Sequence, residues 1–556
     1  QSVLDERTAG FFALGLGRAT GRPALLLCTS GTAAAHYLPA VIEAAESHIP
    51  LLILSADRPS ELRHAAAPQT IDQTRLFGEF TRGFFELGTP SPHESAFRSV
   101  SRFATQAYER SLGALPGPVH LNAPARKPLE PQTARNEGEL ALVDWVDRKL
   151  ATTARIFAPA PSASSGVSEA VRRVSESKRP LFVAGPLTPD EGEIVSTWAR
   201  HLGVPLLAEC ASHAPGSEPL DLMLRSLKTL GKPDLVVLFG TPCTSTRLPA
   251  ALDLWDVPVL SFANASYPDP SQRAEVMLLG DITATVKSCR EQLDARRESF
   301  VIDALHSSAW RRCADDVRRA ASTRLAPSSD SIDASPQGLS EPQAVLAALQ
   351  SVPADGQILL GNSLPLRLAD WVAAEWEANG SDSSNASRPR VFVQRGVNGI
   401  DGLIATSAGL AAATQRPTLA LLGDVTTAHD LSSLALARRA KSPLCILVVD
   451  NAGGHIFDQL PLAQRRDANS ETALPGLSEM WEFWSTPPDL DFVRIAEGYG
   501  AHGVEVRSLE TLRSEVTRAL TTNGLTLVRV RTDAASTPRF FREFDALIAS
   551  FRAETR

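Results

Sequence analysis

The sequence has little cysteine, six residues in 556, and no two of them stand in a Cys-x-x-Cys spacing. This argues against the zinc sites and dithiol redox sites that are built on that motif. Scattered thiols of this kind are typical of proteins in a reducing compartment, so we expect a cytoplasmic location. No short-period repeat is present either, which excludes a solenoid architecture.

Long apolar runs and an excess of basic charge are also lacking. No apolar stretch reaches the roughly 18 residues that a membrane-spanning helix needs. Acidic residues outnumber basic ones by 63 to 55, and the net charge is −8, which argues against a surface for nucleic acid or anionic membranes. What remains is an ordinary globular composition, 43% hydrophobic and 21% charged. The length of 556 residues predicts three or four domains at roughly 150 residues each.

A dinucleotide-binding glycine fingerprint is missing as well. The glycines at positions 15, 17 and 21 have the wrong spacing, and they follow a helical pattern where a strand is required. The second α/β region shows no FAD motif. An NAD- or FAD-dependent enzyme is therefore disfavoured.

Short apolar runs alternate with helical patterns along the chain. Strand, helix and strand with short connections predict parallel sheets with helices on both faces. The candidate strands are residues 24–28, 51–55, 181–184, 205–208, 235–239, 257–262, 358–360, 391–393, 419–422, 445–449 and 525–530. The first α/β region ends near residues 117–122.

The pattern predicts an α/β protein with three doubly wound parallel-sheet domains. Their ranges are 1–130, 177–325 and 341–556, joined by linkers at 131–176 and 326–340 that are rich in Pro, Ser or Asp. Residues 380–389 form an exposed, low-complexity insertion in this interpretation. Because the chain begins with Gln1, we expect a further segment ahead of it.

The third domain carries the strongest candidate site. The strand at 419–422 leads directly into Gly423 and Asp424, and the strand at 445–449 is followed by Asn451 and Gly453. Successive parallel strands place their carboxyl ends at one edge of the sheet, where ligands bind. A carboxylate, an amide oxygen and a nearby backbone carbonyl suit Mg²⁺ that keeps phosphate oxygens as further ligands. A helix that begins after Gly423 favours a diphosphate.

This Gly-Asp…Asn pattern resembles the metal–diphosphate motif of the thiamine-diphosphate enzymes. The resemblance implies Mg²⁺ or Mn²⁺ on Asp424, Asn451 and Gly453, and a homodimer or homotetramer with active sites between subunits. It also implies a catalytic glutamate at the aminopyrimidine ring, a position that Glu6 matches. The other matching cofactor-binding positions are Ser30, Gly31, Ile400, Gly423, Thr426, Ile456 and Phe457.

Further motifs narrow the resemblance to the branch of the family that acts in menaquinone biosynthesis. They lie at residues 5–15, 29–33, 55–59, 69–73, 361–367 and 394–402. This branch implies a transferase that decarboxylates 2-oxoglutarate and adds the succinyl carbanion to isochorismate. Such polyanionic substrates need fixed, planar cations. The implied substrate-binding residues are Gln69, Arg247, Ser363, Arg367, Arg395 and Leu460.

The sequence departs from the family pattern at three places. The Pro-Gly-Ser-Arg-Ser type loop that precedes the glutamate in the family is absent from this sequence. Pro68 stands where the family commonly has Asn, and Thr246 stands where a Lys often precedes the arginine. His429 and His455 lie near the metal motif, and we interpret both as residues at the rim of a pocket. The cofactor set is intact, so the cofactor is predicted more strongly than the acceptor.

Two alternatives stay open from the sequence. One is another thiamine-diphosphate carboligase or decarboxylase, such as one that uses pyruvate, although Arg367 and Arg395 favour a dicarboxylic donor. The other is a non-catalytic homologue that binds a ligand or a partner subunit. An intact Glu6 would be unexpected in such a protein.

Overall fold

Parallel sheets make up the framework of this protein. The computed structural model describes residues 1–130, 133–150, 162–226, 231–295, 301–326, 339–378, 388–466, 474 and 476–553. Within these residues the strands form three sheets, and every recorded strand pairing is parallel. The predicted fold class is thereby confirmed. Most of the predicted linker 326–340 and of the insertion 380–389 lies outside the described residues.

The chain divides into two compact units. Unit 1 comprises Gln1–Ala160, Gln394–Gln415 and His429–Lys441, and unit 2 comprises Pro161–Val393, Arg416–Ala428 and Ser442–Arg556. The domain boundaries predicted from the sequence stay a prediction. Within the described residues, no helix combines the length and the apolar composition that crossing a membrane requires.

The first sheet belongs to unit 1 and has the strand order β1-β2-β4-β3. Its strands are β1 Ala24–Cys28, β2 Leu51–Asp57, β3 Phe84–Glu86 and β4 Pro118–Pro124. The helices of this part of the chain are α1 Glu6–Thr20, α2 Thr32–Ala35, α3 Leu38–Glu46, α4 Glu94–Leu112 and α5 Glu137–Leu150. Apolar residues of α1, α3 and the first two strands share one core with Ala405.

The second sheet belongs to unit 2 and has the order β10-β9-β8-β5-β6-β7. Its strands are β5 Pro180–Ala184, β6 Leu206–Ala208, β7 Glu218–Pro219, β8 Leu235–Phe239, β9 Val259–Ala263 and β10 Ala274–Leu279. The helices are α6 Val167–Glu176, α7 Pro189–Leu202, α8 Leu220–Leu224, α9 Arg247–Trp255, α10 Ile282–Ala295 and α11 Ala304–Leu325. Helix α6 falls in the range predicted as a linker, and its apolar face is buried in the core of this sheet.

The third sheet also belongs to unit 2 and has the order β11-β17-β15-β14-β12-β13, with β16 paired to β17. Its strands are β11 Leu339–Ser340, β12 Gln357–Leu360, β13 Arg390–Val393, β14 Thr418–Gly423, β15 Pro443–Asp450, β16 His502–Val506 and β17 Gly524–Asp533. The helices are α12 Glu341–Gln350, α13 Leu364–Ala378, α14 Leu403–Thr414, α15 Asp424–His429, α16 Leu434–Ala437, α17 Pro461–Gln464, α18 Leu477–Met480, α19 Glu482–Ser485, α20 Phe492–Gly498, α21 Leu509–Thr521 and α22 Ser536–Ala553. Helices α14 and α16 lie in unit 1.

Helices α1 and α14 of unit 1 cross at a pair of glycines. A Cβ added at Gly15 would lie 2.3 Å from the carbonyl oxygen of Thr406, and one added at Gly409 would lie 2.3 Å from that of Phe12. Both clashes are with backbone atoms, which cannot rotate away. The two glycines therefore set how closely the helix that begins at Glu6 packs on α14.

Gly15→Ala is expected to destabilise the protein by about 1–3 kcal/mol, because the added methyl group must push the two helices apart. The matched control is Gly498→Ala near the end of α20, where an added Cβ meets no atom within 4 Å. That change is expected to be neutral or slightly stabilising. Denaturant unfolding of the two variants checks the prediction, and equal midpoints would contradict it.

Candidate active site

The carboxyl edge of the third sheet brings Asp424 and Asn451 together. Strands β14 and β15 are hydrogen-bonded neighbours, with Gly423 opposite Val449. Asp424 follows the last residue of β14 and Asn451 follows the last residue of β15. Both side chains are buried, with 2% and 9% of their surface exposed. The strand order thus provides the shared edge that the sequence pattern predicts.

Asp424 closes the loop that carries Gly453. The Gly453 amide donates to Asp424 Oδ2 at 2.6 Å, and the Val425 amide donates to Oδ1 at 2.8 Å. Burial, together with the negative charge of Asp450, raises the pKa of Asp424 to about 7. A nearby positive charge would therefore favour the ionised form of Asp424. A bound divalent cation would supply that charge and favour the ionised form.

Glu341 fixes the orientation of the Asn451 amide. Asn451 Nδ2 donates to Glu341 Oε1 at 2.7 Å, while the hydroxyl of Thr537 donates to Oε2 at 2.6 Å. Glu341 is fully buried, and burial raises its pKa to about 6. Because its nitrogen is engaged, the Asn451 amide has its oxygen left for a metal. Glu341 and Thr537 were not predicted, since no local signal in the sequence marks them.

The donor set fits a hard, oxygen-preferring cation. It offers one carboxylate, one amide oxygen and the backbone of Gly453, which has a φ of +133° that favours glycine. Among the described residues no group of three or more His, Cys, Asp or Glu could hold a metal. His455 lies beside the donor set, and its Nδ1 is 2.6 Å from Asp458 Oδ2. Asp458 raises the pKa of His455.

The three apolar candidates of unit 2 follow directly after the Gly453 loop. Ile456 and Phe457 lie in a 3₁₀ turn, His455–Gln459, and Leu460 ends it. Ile456 packs against the core of unit 2, and the Phe457 ring meets Trp484 edge-on at 5.7 Å. Leu460 is 40% exposed. This short turn places three apolar side chains next to the Gly453 loop.

The candidate arginines of unit 2 lie at the beginnings of two helices. Arg367 is in the first turn of α13 and donates to the Ser363 carbonyl at 2.9 Å. Ser363 has a φ of +74°, a strained conformation for a residue other than glycine, which is typical of functional turns. Arg247 begins α9, and its Nε lies 3.6 Å from Asp221 Oδ2. Asp221 in turn accepts from the Trp371 indole at 3.0 Å.

In unit 1, Glu6 is the first residue of α1. Asp5 caps this helix by accepting from the amides of Arg7 and Thr8, and its second oxygen accepts from Ser432. Burial raises the pKa of the Cys28 thiol to about 11, and the negative charge of Glu6 contributes to that rise. Glu6 is therefore held at a capped helix end, within electrostatic reach of the end of β1.

Ser30, Gly31 and Gln69 come together beyond the end of β1. The Ser30 hydroxyl donates to the Gln69 carbonyl at 3.0 Å, and the Gly31 amide donates to the side chain of Gln73 at 2.8 Å. Gly31 and Gln69 have positive φ angles of 88° and 53°. Gln73 is fully buried and also bonds Asn122. It is the residue that ties this turn to the first sheet.

Arg395 and Ile400 lie on the loop between β13 and α14, in the part that belongs to unit 1. Gln394 spans the base of this loop, because its Nε2 donates to the Asp401 carbonyl at 2.8 Å and its Oε1 accepts from Thr406 at 2.7 Å. Arg395 is exposed and Ile400 is partly exposed. His429 Nε2 lies 3.8 Å from Asp401 Oδ1. Each unit therefore contains some of the predicted site residues.

Comparisons with known proteins show the family to which this chain belongs. Two family models match: the N-terminal TPP binding domain of thiamine pyrophosphate enzymes at residues 2–76, and the C-terminal TPP binding domain at residues 381–530. Relatives named 2-succinyl-5-enolpyruvyl-6-hydroxy-3-cyclohexene-1-carboxylate synthase are 34% identical in Sorangium cellulosum and in Myxococcus xanthus, and 32% identical in Geobacillus kaustophilus. The matches cover 90%, 96% and 97% of this chain and 80%, 87% and 89% of the respective relatives.

A solved structure shares the fold. It is described as a thiamin diphosphate-dependent enzyme from Mycobacterium smegmatis, and it is 18% identical with a TM-score of 0.65. The match covers 95% of this chain and 91% of that one. At this level of identity the likeness supports the fold alone.

Proposed function

Since the chain belongs to the family of 2-succinyl-5-enolpyruvyl-6-hydroxy-3-cyclohexene-1-carboxylate synthases, we propose that it decarboxylates 2-oxoglutarate and adds the succinyl group to isochorismate. This is a transferase reaction of menaquinone biosynthesis, and thiamine diphosphate is its cofactor. The observation that carries the proposal is the closure of the Gly453 loop on Asp424, with Asn451 held alongside.

We assign the metal and diphosphate to the carboxyl edge of the third sheet. Asp424, Asn451 and the Gly453 carbonyl would hold Mg²⁺ or Mn²⁺. Gly423 and Thr426 would face the diphosphate, and Ser30, Gly31, Ile400, Ile456 and Phe457 would line the rest of the cofactor.

In line with the resemblance, we further propose a homodimer or homotetramer, and light scattering of the purified protein tests this assignment. A monomer would contradict it.

Thiamine diphosphate, when bound, supplies the carbon nucleophile that releases CO₂ from a 2-oxo acid. In this proposal Glu6 holds and exchanges a proton at the ring nitrogen of the aminopyrimidine. The arginines bind carboxylates of the substrates as planar, permanently charged groups. Ser363 and Gln69 add neutral hydrogen bonds, and Leu460 contacts the apolar part of the incoming substrate.

Arg367→Gln is expected to raise the KM for 2-oxoglutarate by roughly 10- to 100-fold, because a charged hydrogen bond to a carboxylate is lost. The turnover number should change much less, since the interaction serves binding more than the reacting atoms. Steady-state CO₂ release at varied 2-oxoglutarate measures both constants. The matched control is Arg494→Gln, which changes an arginine whose side chain is 86% exposed. An unchanged KM in the Arg367 variant would refute its role.

The choice of donor separates the proposal from its alternatives. The protein is incubated with thiamine diphosphate, Mg²⁺ and either 2-oxoglutarate or pyruvate, each labelled at the carboxylate that is lost. We expect labelled CO₂ from 2-oxoglutarate and little from pyruvate. Preference for pyruvate would favour a different carboligase, and release from neither would favour a non-catalytic homologue.

A further inference from the structure

One buried carboxylate holds three consecutive backbone amides of the loop that carries Arg395 and Ile400. Glu43 lies on α3 and is fully buried. Gly396 N–H donates to its Oε1 at 2.9 Å, and the amides of Val397 and Asn398 donate to Oε2 at 2.8 and 3.0 Å. Both oxygens of Glu43 are therefore occupied by a segment more than 350 residues away in sequence.

The remaining partners of Glu43 compensate its charge. The Ser47 hydroxyl donates to Oε1 at 2.7 Å, and the Arg18 guanidinium lies 3.4 Å from the same oxygen. A buried carboxylate is tolerated only when it is paired and fully hydrogen-bonded, and Glu43 meets that condition through the loop. Removing the loop contacts would leave the buried carboxylate without three of its donors. Removing the carboxylate would leave three backbone amides without their acceptor.

Gly396 lies close to the side chains of Glu43 and Ser47. A Cβ added there would lie 2.7 Å from Ser47 Oγ and 3.0 Å from Glu43 Oε2. A larger residue at this position would therefore make the loop or these two side chains shift. The tip of the loop is fixed by Glu43, and its base is fixed by Gln394 through Asp401.

We propose that Glu43 is a positioning residue that holds Arg395 in the place where it binds a substrate carboxylate. Arg395 immediately precedes the first clamped amide, and Ile400 follows the last one by two residues. A loop held at three successive amides has little conformational freedom. Substrate binding therefore loses little conformational entropy by ordering this loop. This inference rests on the proposed function, because that function gives Arg395 its substrate.

The test is Glu43→Gln, which keeps the shape of the side chain. One oxygen becomes an NH₂ group that faces amide donors, and the negative charge is lost. We expect a KM for 2-oxoglutarate raised on the order of tenfold or more, with kcat lowered by less than about threefold. Amide hydrogen exchange at residues 396–398 should become faster in the same variant, whether or not substrate is present.

The matched control is Asp234→Asn. Asp234 also clamps a turn, by accepting from the Lys178 and Arg179 amides at 3.0 Å and from the Ser177 hydroxyl, but it lies in unit 2. This variant should lose stability without a change in KM. If Glu43→Gln does not fold, Gly396→Ala disturbs the same clamp from the loop side and is expected to raise the KM likewise.

The outcomes separate this inference from the proposed function. Faster exchange at 396–398 with an unchanged KM would overturn the positioning role, and unchanged exchange would overturn the clamp itself. If the wild-type protein fails to decarboxylate 2-oxoglutarate, the proposed function fails. The positioning role of Glu43 then fails with it, whereas the exchange measurement still decides whether Glu43 holds the loop.

Discussion

Glu6→Gln is expected to lower CO₂ release from 2-oxoglutarate by a factor on the order of 100 to 10,000, the usual contribution of a positioned acid or base. An amide of the same size can still form a hydrogen bond, but it cannot hold and exchange a proton at the ring nitrogen. Helix α1 should remain intact, because its cap is Asp5 and its close packing is at Gly15. The variant should therefore have a much lower turnover number and nearly unchanged stability.

Turnover, thiamine-diphosphate affinity and thermal unfolding should be measured together for this variant. The control is Glu79→Gln, which changes an exposed glutamate of the same unit. Wild-type turnover in the Glu6 variant would contradict the assigned role. A large loss of stability would point instead to a structural role at the start of the helix.

Asp424→Ala is expected to weaken thiamine-diphosphate binding in the presence of Mg²⁺ by on the order of a hundredfold or more. Residues that only support a metal ligand already cost 10- to 100-fold in metal affinity, and Asp424 is assigned as a ligand itself. The change also removes the acceptor of the Gly453 amide, so the loop that offers the third oxygen loses its anchor.

Calorimetric titration of the cofactor at fixed Mg²⁺ measures this effect. Asp355→Ala serves as the control, because Asp355 is exposed and precedes β12 at the opposite edge of the same sheet. Equal affinities in the wild type and the Asp424 variant would refute the metal assignment. A tenfold excess of Mn²⁺ should restore little binding, since the lost ligand belongs to the protein.

The buried strands could be predicted from the sequence because each is a continuous apolar run. Strands β1 and β8 have the predicted bounds, and the other predicted strands differ by a few residues at their ends. Of the strands that were not predicted, β4 lies inside the first sheet and five others each have a single strand partner. These five are β3, β7, β10, β11 and β16, and they are either two or three residues long or only partly buried. Short or partly buried edge strands of this kind give a weaker apolar signal than fully buried inner strands.

In the candidate site, too, residues next to a strand end could be predicted, and residues that contact a distant segment could not. Asp424 and Asn451 could be predicted to share an edge because each directly follows an apolar strand, and the carboxyl ends of parallel strands lie at the same edge of a sheet. Glu341 and Glu43 could not, since each acts on a segment 110 or more residues away. Any residue except proline can offer a backbone amide to a buried carboxylate. The segment that binds the carboxylate therefore needs no sequence motif, and the contact cannot be predicted from the sequence.

The product of the complete reaction shows whether this protein transfers a succinyl group to isochorismate. The protein is incubated with thiamine diphosphate, Mg²⁺, isochorismate and uniformly ¹³C-labelled 2-oxoglutarate, and the mixture is analysed by mass spectrometry. We expect an adduct whose mass equals the two substrates minus one labelled CO₂, with four labelled carbons retained. Release of labelled CO₂ without such an adduct, or no consumption of 2-oxoglutarate, would contradict it.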